Sequence, residues 1–126
     1  MHYFFVSLQK QYDEAFLFAK KAVLHAPGDA EAHYLRAITY LITIIYSLNS
    51  EMTAAEKKQI LSDMDFAVSV DVNESFYYKE RMMIRSMFLD YAGACEDAKK
   101  YRSLEGSAGD EYVELNRRRR QLFSHT

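Results

Sequence analysis

Glycine, proline and cysteine are scarce in this chain: four, one and one among 126 residues. An all-β protein needs many turns, so the shortage of turn residues favours long helices joined by few connections. The single cysteine, Cys95, has no partner for an internal disulfide, which fits a reducing, cytoplasmic setting. Long apolar runs are missing too. The longest, Ala37 to Leu48, is about 12 residues and includes two threonines, two tyrosines and a serine, against roughly 20 for a membrane-spanning helix. The N-terminal Met1-His-Tyr-Phe-Phe-Val-Ser-Leu lacks the charged start and the apolar length of a signal peptide. These absences predict a soluble protein with no membrane partner. A formal net charge of −2 argues against a protein built mainly to hold nucleic acid. What remains is ordinary for a globular domain, 49% apolar and 27% charged, and long enough to bury one core.

Apolar spacing predicts about seven helices and no strand. Tyr3, Phe4, Val6 and Leu8 read as the second half of a helix, followed by a break at Gln9-Lys10-Gln11. A helix over 12–25 follows, with Ala15, Ala19 and Ala22 in a row on one face, where another helix can approach closely. It ends at Ala26-Pro27-Gly28, and Asp29 is placed to cap a third helix that runs to about Ser47. Thr53-Ala-Ala-Glu56 has the form of a capping box for a fourth, 54–70. Asn73 and Asp90 are the expected caps of the fifth and sixth, 74–88 and 91–104. After the loop-like Gly106-Ser-Ala-Gly109, Asp110 is the expected cap of a last helix, 111 to about 123.

The helices repeat. Ala15, Ala22 and Pro27 recur 45 residues on as Ile60, Ala67 and Val72, and 34 further on as Ala94, Tyr101 and Gly106. His33-x-x-Arg36-Ala37-x-x-Tyr40 falls in phase with Tyr78-x-x-Arg81-Met82-x-x-Arg85. A 34-residue period of helix pairs resembles the tetratricopeptide repeat family, whose second helix carries alanines and a closing proline. The resemblance covers residues 1–108, in units of about 1–28, 29–72 and 73–108, and leaves 109–126 as a capping helix and tail. It implies an all-α fold of antiparallel helix pairs stacked as a short superhelix, with a concave face that binds protein partners. Val72 and Gly106 depart from the pattern where proline is expected, Met82 where a small residue is, and Arg85 where an aromatic is.

First-helix residues line the groove in that family. Here they are Glu31, Tyr34, Ile38 and Leu41 in the second unit, and Phe76, Lys79, Met83 and Met87 in the third. This aromatic and methionine-rich set suits an apolar or amphipathic segment. Members that clamp the acidic tails of heat-shock chaperones carry lysine, asparagine and arginine at places where this chain has Tyr34 and Ile38, so that mode is not expected. Ordinary core packing and occupation by the chain's own last helix are the alternatives to a partner segment for this stripe.

The second unit is 11 residues longer than the period. Extension of both arms of its helix pair predicts a projecting hairpin bearing Ile42, Ile44, Ile45, Tyr46, Leu48 and Met52. Left uncovered, these form an apolar patch for self-association, as a homodimer, or for a partner; the N-terminal helix is the internal alternative.

Arg117-Arg118-Arg119-Arg120 is the sharpest charge feature, and it supports the other reading, an all-α regulatory or nucleic-acid-associated protein. Four consecutive arginines spread around a helix and make no single face, so nucleic acid is the less favoured partner. No catalytic residue, metal site or cofactor site is expected. His2, His25, His33, His125 and Cys95 lack ligand spacing, Asp63 and Asp65 diverge on a helix, and no glycine-rich phosphate loop occurs. The protein reads as an interaction scaffold and not as an enzyme.

Overall fold

The computed structural model describes residues 2–47, 51–106 and 108–124, with side chains for 7–47, 51–106, 110, 111 and 113–123. Six helices account for them: α1 (His2–His25), α2 (Ala30–Ile45), α3 (Ala54–Val70), α4 (Ser75–Met87), α5 (Tyr91–Glu105) and α6 (Ala108–Ser124). No strand occurs among the described residues. The chain divides into two compact units, Met1–Val70 and Asp71–Thr126, each of three helices.

Six helices replace the expected seven because Gln9-Lys10-Gln11 does not break the chain. Glutamine and lysine are good helix formers, and no glycine or proline stands between His2 and His25. The helix stops where proline forbids continuation: Ala26 N–H reaches Ala22 O at 2.9 Å, and Asp29 N–H closes the turn on Ala26 O at 3.1 Å.

In the first unit, α1 lies on α2 through two stacked ring pairs, Tyr12 with Tyr46 and Phe16 with Tyr40, at 5.3 and 4.7 Å between centroids. Ala19, three residues past Phe16, is buried, and Ala15 and Ala22 are half-buried, so the alanine row does face the interior. Thr43 Oγ1 donates to Tyr12 O at 3.2 Å on the same seam. Asp29 holds the N-cap position of α2, but its carboxylate accepts no capping bond; its backbone carbonyl accepts from His33 N–H at 3.3 Å. The Thr53–Glu56 box of α3 forms as expected, with Thr53 N–H on Glu56 Oε1 at 2.8 Å and Glu56 N–H on Thr53 Oγ1 at 3.1 Å.

In the second unit the cap of α4 is Glu74, one residue past the expected Asn73; its carboxylate accepts from Phe76 N–H at 3.3 Å. Asp90 caps α5 by accepting from Gly93 N–H at 3.0 Å. A Cβ on Gly93 would lie 2.3 Å from Asp90 Oδ2, so the cap requires glycine there. α4 ends in a Schellman turn: Asp90 N–H reaches Arg85 O at 2.8 Å and Leu89 N–H reaches Ser86 O at 3.1 Å. Leu89 takes the left-handed position, φ 66°, that glycine usually fills. Asp110 is not the cap of α6, which begins at Ala108; it sits in the first turn, where a negative charge favours the helix dipole.

Met82 occupies the place where the repeat pattern calls for a small residue. It is buried against Ala94 and Ala98 of α5, with Val113 of α6 packed on the cluster. The two alanines leave the volume that the methionine fills, and its burial is worth about 2–3 kcal/mol.

Candidate functional site

Each unit is fastened by a carboxylate on its second-in-pair helix that receives guanidinium groups from the first. In the first unit Asp63, 2% exposed, accepts from Arg36 Nε at 2.8 Å and Arg36 Nη2 at 2.6 Å, a two-pronged geometry. These hydrogen bonds raise Arg36 above the ordinary guanidinium value. The His33 ring adds to it: Nδ1 lies 3.0 Å from Asp63 Oδ1 and Nε2 lies 2.8 Å from Pro27 O, while Phe66 stacks on the ring at 3.9 Å. A proline carbonyl only accepts, so Nε2 donates to it.

In the second unit Asp97, also 2% exposed, accepts from Arg81 Nε at 3.0 Å and Nη2 at 2.7 Å. Arg85 Nη1 reaches the same carboxylate at 2.9 Å and Gly93 O at 3.3 Å. Arg85, which replaces an aromatic of the repeat pattern, therefore closes a buried ion cluster. Sequence reading missed both clusters, considering Asp63 only as a metal ligand. The available signal was an aspartate inside a small-residue face, Asp97 between Ala94 and Ala98.

The open feature of the second unit is a cleft of about 730 Å³ between α4 and α6. α4 supplies Lys79, Met82, Met83, Ser86 and Met87; α6 supplies Leu115, Asn116 and Arg119; Tyr91 of α5 completes the lining. Met83, Met87 and Leu115 are 48, 53 and 44% exposed and form its apolar walls. The polar floor is satisfied, with Ser86 Oγ donating to the buried Asn116 Oδ1 at 2.8 Å. Three expected groove residues, Lys79, Met83 and Met87, thus come together, joined by α6 residues that sequence reading had not assigned. Phe76 is exposed and meets Tyr77 edge-on at 5.8 Å.

The first-unit candidates divide. Glu31 is exposed, Tyr34 and Ile38 are half-buried, and Leu41 is in the core at 3% exposure, where it offers a partner nothing. The hairpin tip also differs from expectation. Beyond the Arg–Asp clamp each arm is longer by three residues, less than a turn, and the connection 46–53 takes the rest against 88–90. Ile42, Ile44 and Met52 are half-buried, Tyr46 is stacked on Tyr12, and Ile45 is exposed; Leu48 lies outside the described residues. A second, smaller hollow of about 270 Å³ in this unit is lined by Phe16, Lys20, Arg36, Tyr40 and Gln59.

The arginine run divides in the same way. Glu114 Oε2 lies 2.7 Å from Arg117 Nη2, and its Oε1 accepts from Arg118 Nε at 3.1 Å, which together hold the Glu114 carboxyl below its usual range. Arg119 turns to the cleft, and Arg120 is exposed. Among the described residues no three His, Cys, Asp or Glu side chains gather to hold a metal ion, and no helix is long and apolar enough to cross a membrane.

Antiparallel helix pairs, each fastened at one level by an Arg–Asp contact, define an all-α helical-repeat scaffold. Its fold is that of a tetratricopeptide-repeat domain: the chain is similar to the solved Sgt2 TPR domain from Aspergillus fumigatus, with a TM-score of 0.70 and 21% identity over 95% of this chain and 75% of that one. No family model matches the sequence, and no curated protein sequence does.

Proposed function

We propose that this chain is a protein–protein interaction module of the tetratricopeptide-repeat type, working in a reducing cytoplasm, where the buried Cys95 stays a thiol. The reading rests on one observation, the apolar cleft between α4 and α6. Two methionines and a leucine half-exposed around one concavity, with a few polar groups among them, are the kind of lining that binding clefts carry. Glu31, Tyr34 and Ile38 form a second candidate contact face on α2, within the other unit.

Affinity capture from cell extract, compared between the native chain and Met83→Ser/Met87→Ser, tests this. Proteins retained by the first and lost by the second are expected, with the helical circular dichroism of the two alike. An identical set of captured proteins would overturn the proposal. Adding Tyr34→Ala tests the α2 face in the same assay.

Self-association through the hairpin tip has weaker support, since Ile45 is the one member of its described candidate set above half exposure, at 52%. Nucleic-acid binding by the arginine run is disfavoured by the attachment of Arg117 and Arg118 to Glu114.

A further inference from the structure

Taking the cleft as the binding site, we infer that its occupant is a short amphipathic helix of a partner protein, with aliphatic or aromatic anchors and a net acidic character. Three independent features of the cleft lead there: the chemistry of its walls, the sign of its charge and the saturation of its backbone.

The walls are methionine and leucine. Methionine is unbranched and polarizable, and re-packs around branched or aromatic side chains without strict shape selection. The space, about 730 Å³, is of the size that buries several side chains.

The charge is of one sign. Lys79 and Arg119 line the cleft, and no aspartate or glutamate does. Glu114, five residues before Arg119, is turned about 140° away on the helix and is held by Arg117 and Arg118. Glu80 follows Lys79 in sequence but is not in the lining, and burial pushes its carboxyl up. Two cations face an apolar hollow whose described lining holds no carboxylate, with Glu80 acting on Lys79 only from outside it, and this favours a partner that brings carboxylates. They are too few, and the walls too apolar, for a phosphate backbone.

Both long walls are helices, so their backbone N–H and C=O groups are already paired and present no strand edge. An extended peptide would find no main-chain ladder to join, whereas a helix satisfies its own backbone and needs only a face. The trench suits one. α4 is antiparallel to α5 across Arg85 and Asp97, and α5 to α6 across Arg102–Asp110 and Tyr91–Phe123, so α4 and α6 run side by side in the same direction. From Lys79 to Met87 the wall is about 12 Å long, or two helical turns.

The test is selection of random peptides of about 16 residues, four helical turns, displayed on phage, against the full chain. The strongest binder is then titrated by fluorescence anisotropy, with circular dichroism checking that each variant folds. Enriched peptides are expected to share apolar residues three and four apart with a net negative charge. Lys79→Glu/Arg119→Glu is expected to weaken the binder about tenfold or more, and Met83→Ser/Leu115→Ser to abolish it. Enrichment of neutral or basic peptides, or indifference to the charge reversal, overturns the acidic helix while leaving the cleft as the site if Met83→Ser/Leu115→Ser still removes binding. Binders indifferent to both variants, or no enrichment, overturn the cleft as well. Preferential binding of labelled single-stranded RNA, lost when Arg117 to Arg120 become glutamine, overturns the protein partner altogether.

Discussion

Asp63 and Asp97 hold equivalent stations in two helix pairs, 34 residues apart in sequence, each buried to 2% and each accepting the Nε and Nη2 edge of one arginine. Arg36 and Arg81, the donors, stand in the same phase of their own helices. The chain thus repeats a contact as well as a pattern of small and large residues, and the contact fixes how far each helix slides along its mate.

Asp97→Ala is expected to destabilise the protein by about 3–5 kcal/mol, because it strands two guanidinium groups in a desolvated place. Chemical denaturation followed by circular dichroism measures this. The milder Arg85→Met, which leaves the Arg81–Asp97 fork intact, is expected to cost less than half as much. Equal losses would mean that Arg85, not Arg81, carries the cluster.

Leu89→Gly is expected to stabilise by about 1 kcal/mol, the strain of a branched residue in left-handed backbone. Leu89 is 66% exposed, so little packing is lost with its side chain. A fall in the denaturation midpoint would show that the leucine makes a contact worth more than its strain.

Glu80 supplies a pH dependence. Burial raises its carboxyl, with Lys79 opposing, so ionising it costs the folded state something that the unfolded chain does not lose. The folded protein is free of that cost below the ordinary glutamate value and bears it fully once pH has risen through the raised one. Glu80→Gln is therefore expected to be the more stable protein at pH 7, and the difference is expected to close toward about pH 4. A gap that widens on acidification would reverse the sign assigned to Glu80.

Ile45→Glu tests the hairpin tip. If copies of the chain pair there, light scattering should show a dimer for the native chain and a monomer for the variant. A native monomer at high concentration removes that surface from consideration.

Two caps and the repeat period were legible in the sequence because their physics is local, whereas Asp29 holds its cap position without a side-chain bond and the caps expected at Asn73 and Asp110 were not borne out. The Thr53–Glu56 box and the Asp90 cap need about four consecutive residues and nothing else. The break before Tyr12 was misplaced by weighing the absence of apolar residues at 9–11 above the high helix propensity of glutamine and lysine. The Arg–Asp clamps were out of reach for a different reason. Arg36 and Asp63 are 27 residues apart, and only the pairing of α2 with α3 makes them neighbours. The cleft was half legible: Lys79, Met83 and Met87 follow from helix phase, but Leu115 and Arg119 depend on how α6 returns along α5.

The clamp also separates length from alignment. Arg36 and Asp63 meet as Arg81 and Asp97 do, although the first pair encloses 11 more residues, six of them in the arms and five in the connection. The far end of the α2–α3 hairpin is therefore a place where sequence can be lengthened without disturbing the stack beneath it. A fluorescent domain or affinity tag grafted into the connection 46–53 should be carried at small thermodynamic cost, which makes it the natural handle for testing whether a partner docks on this protein.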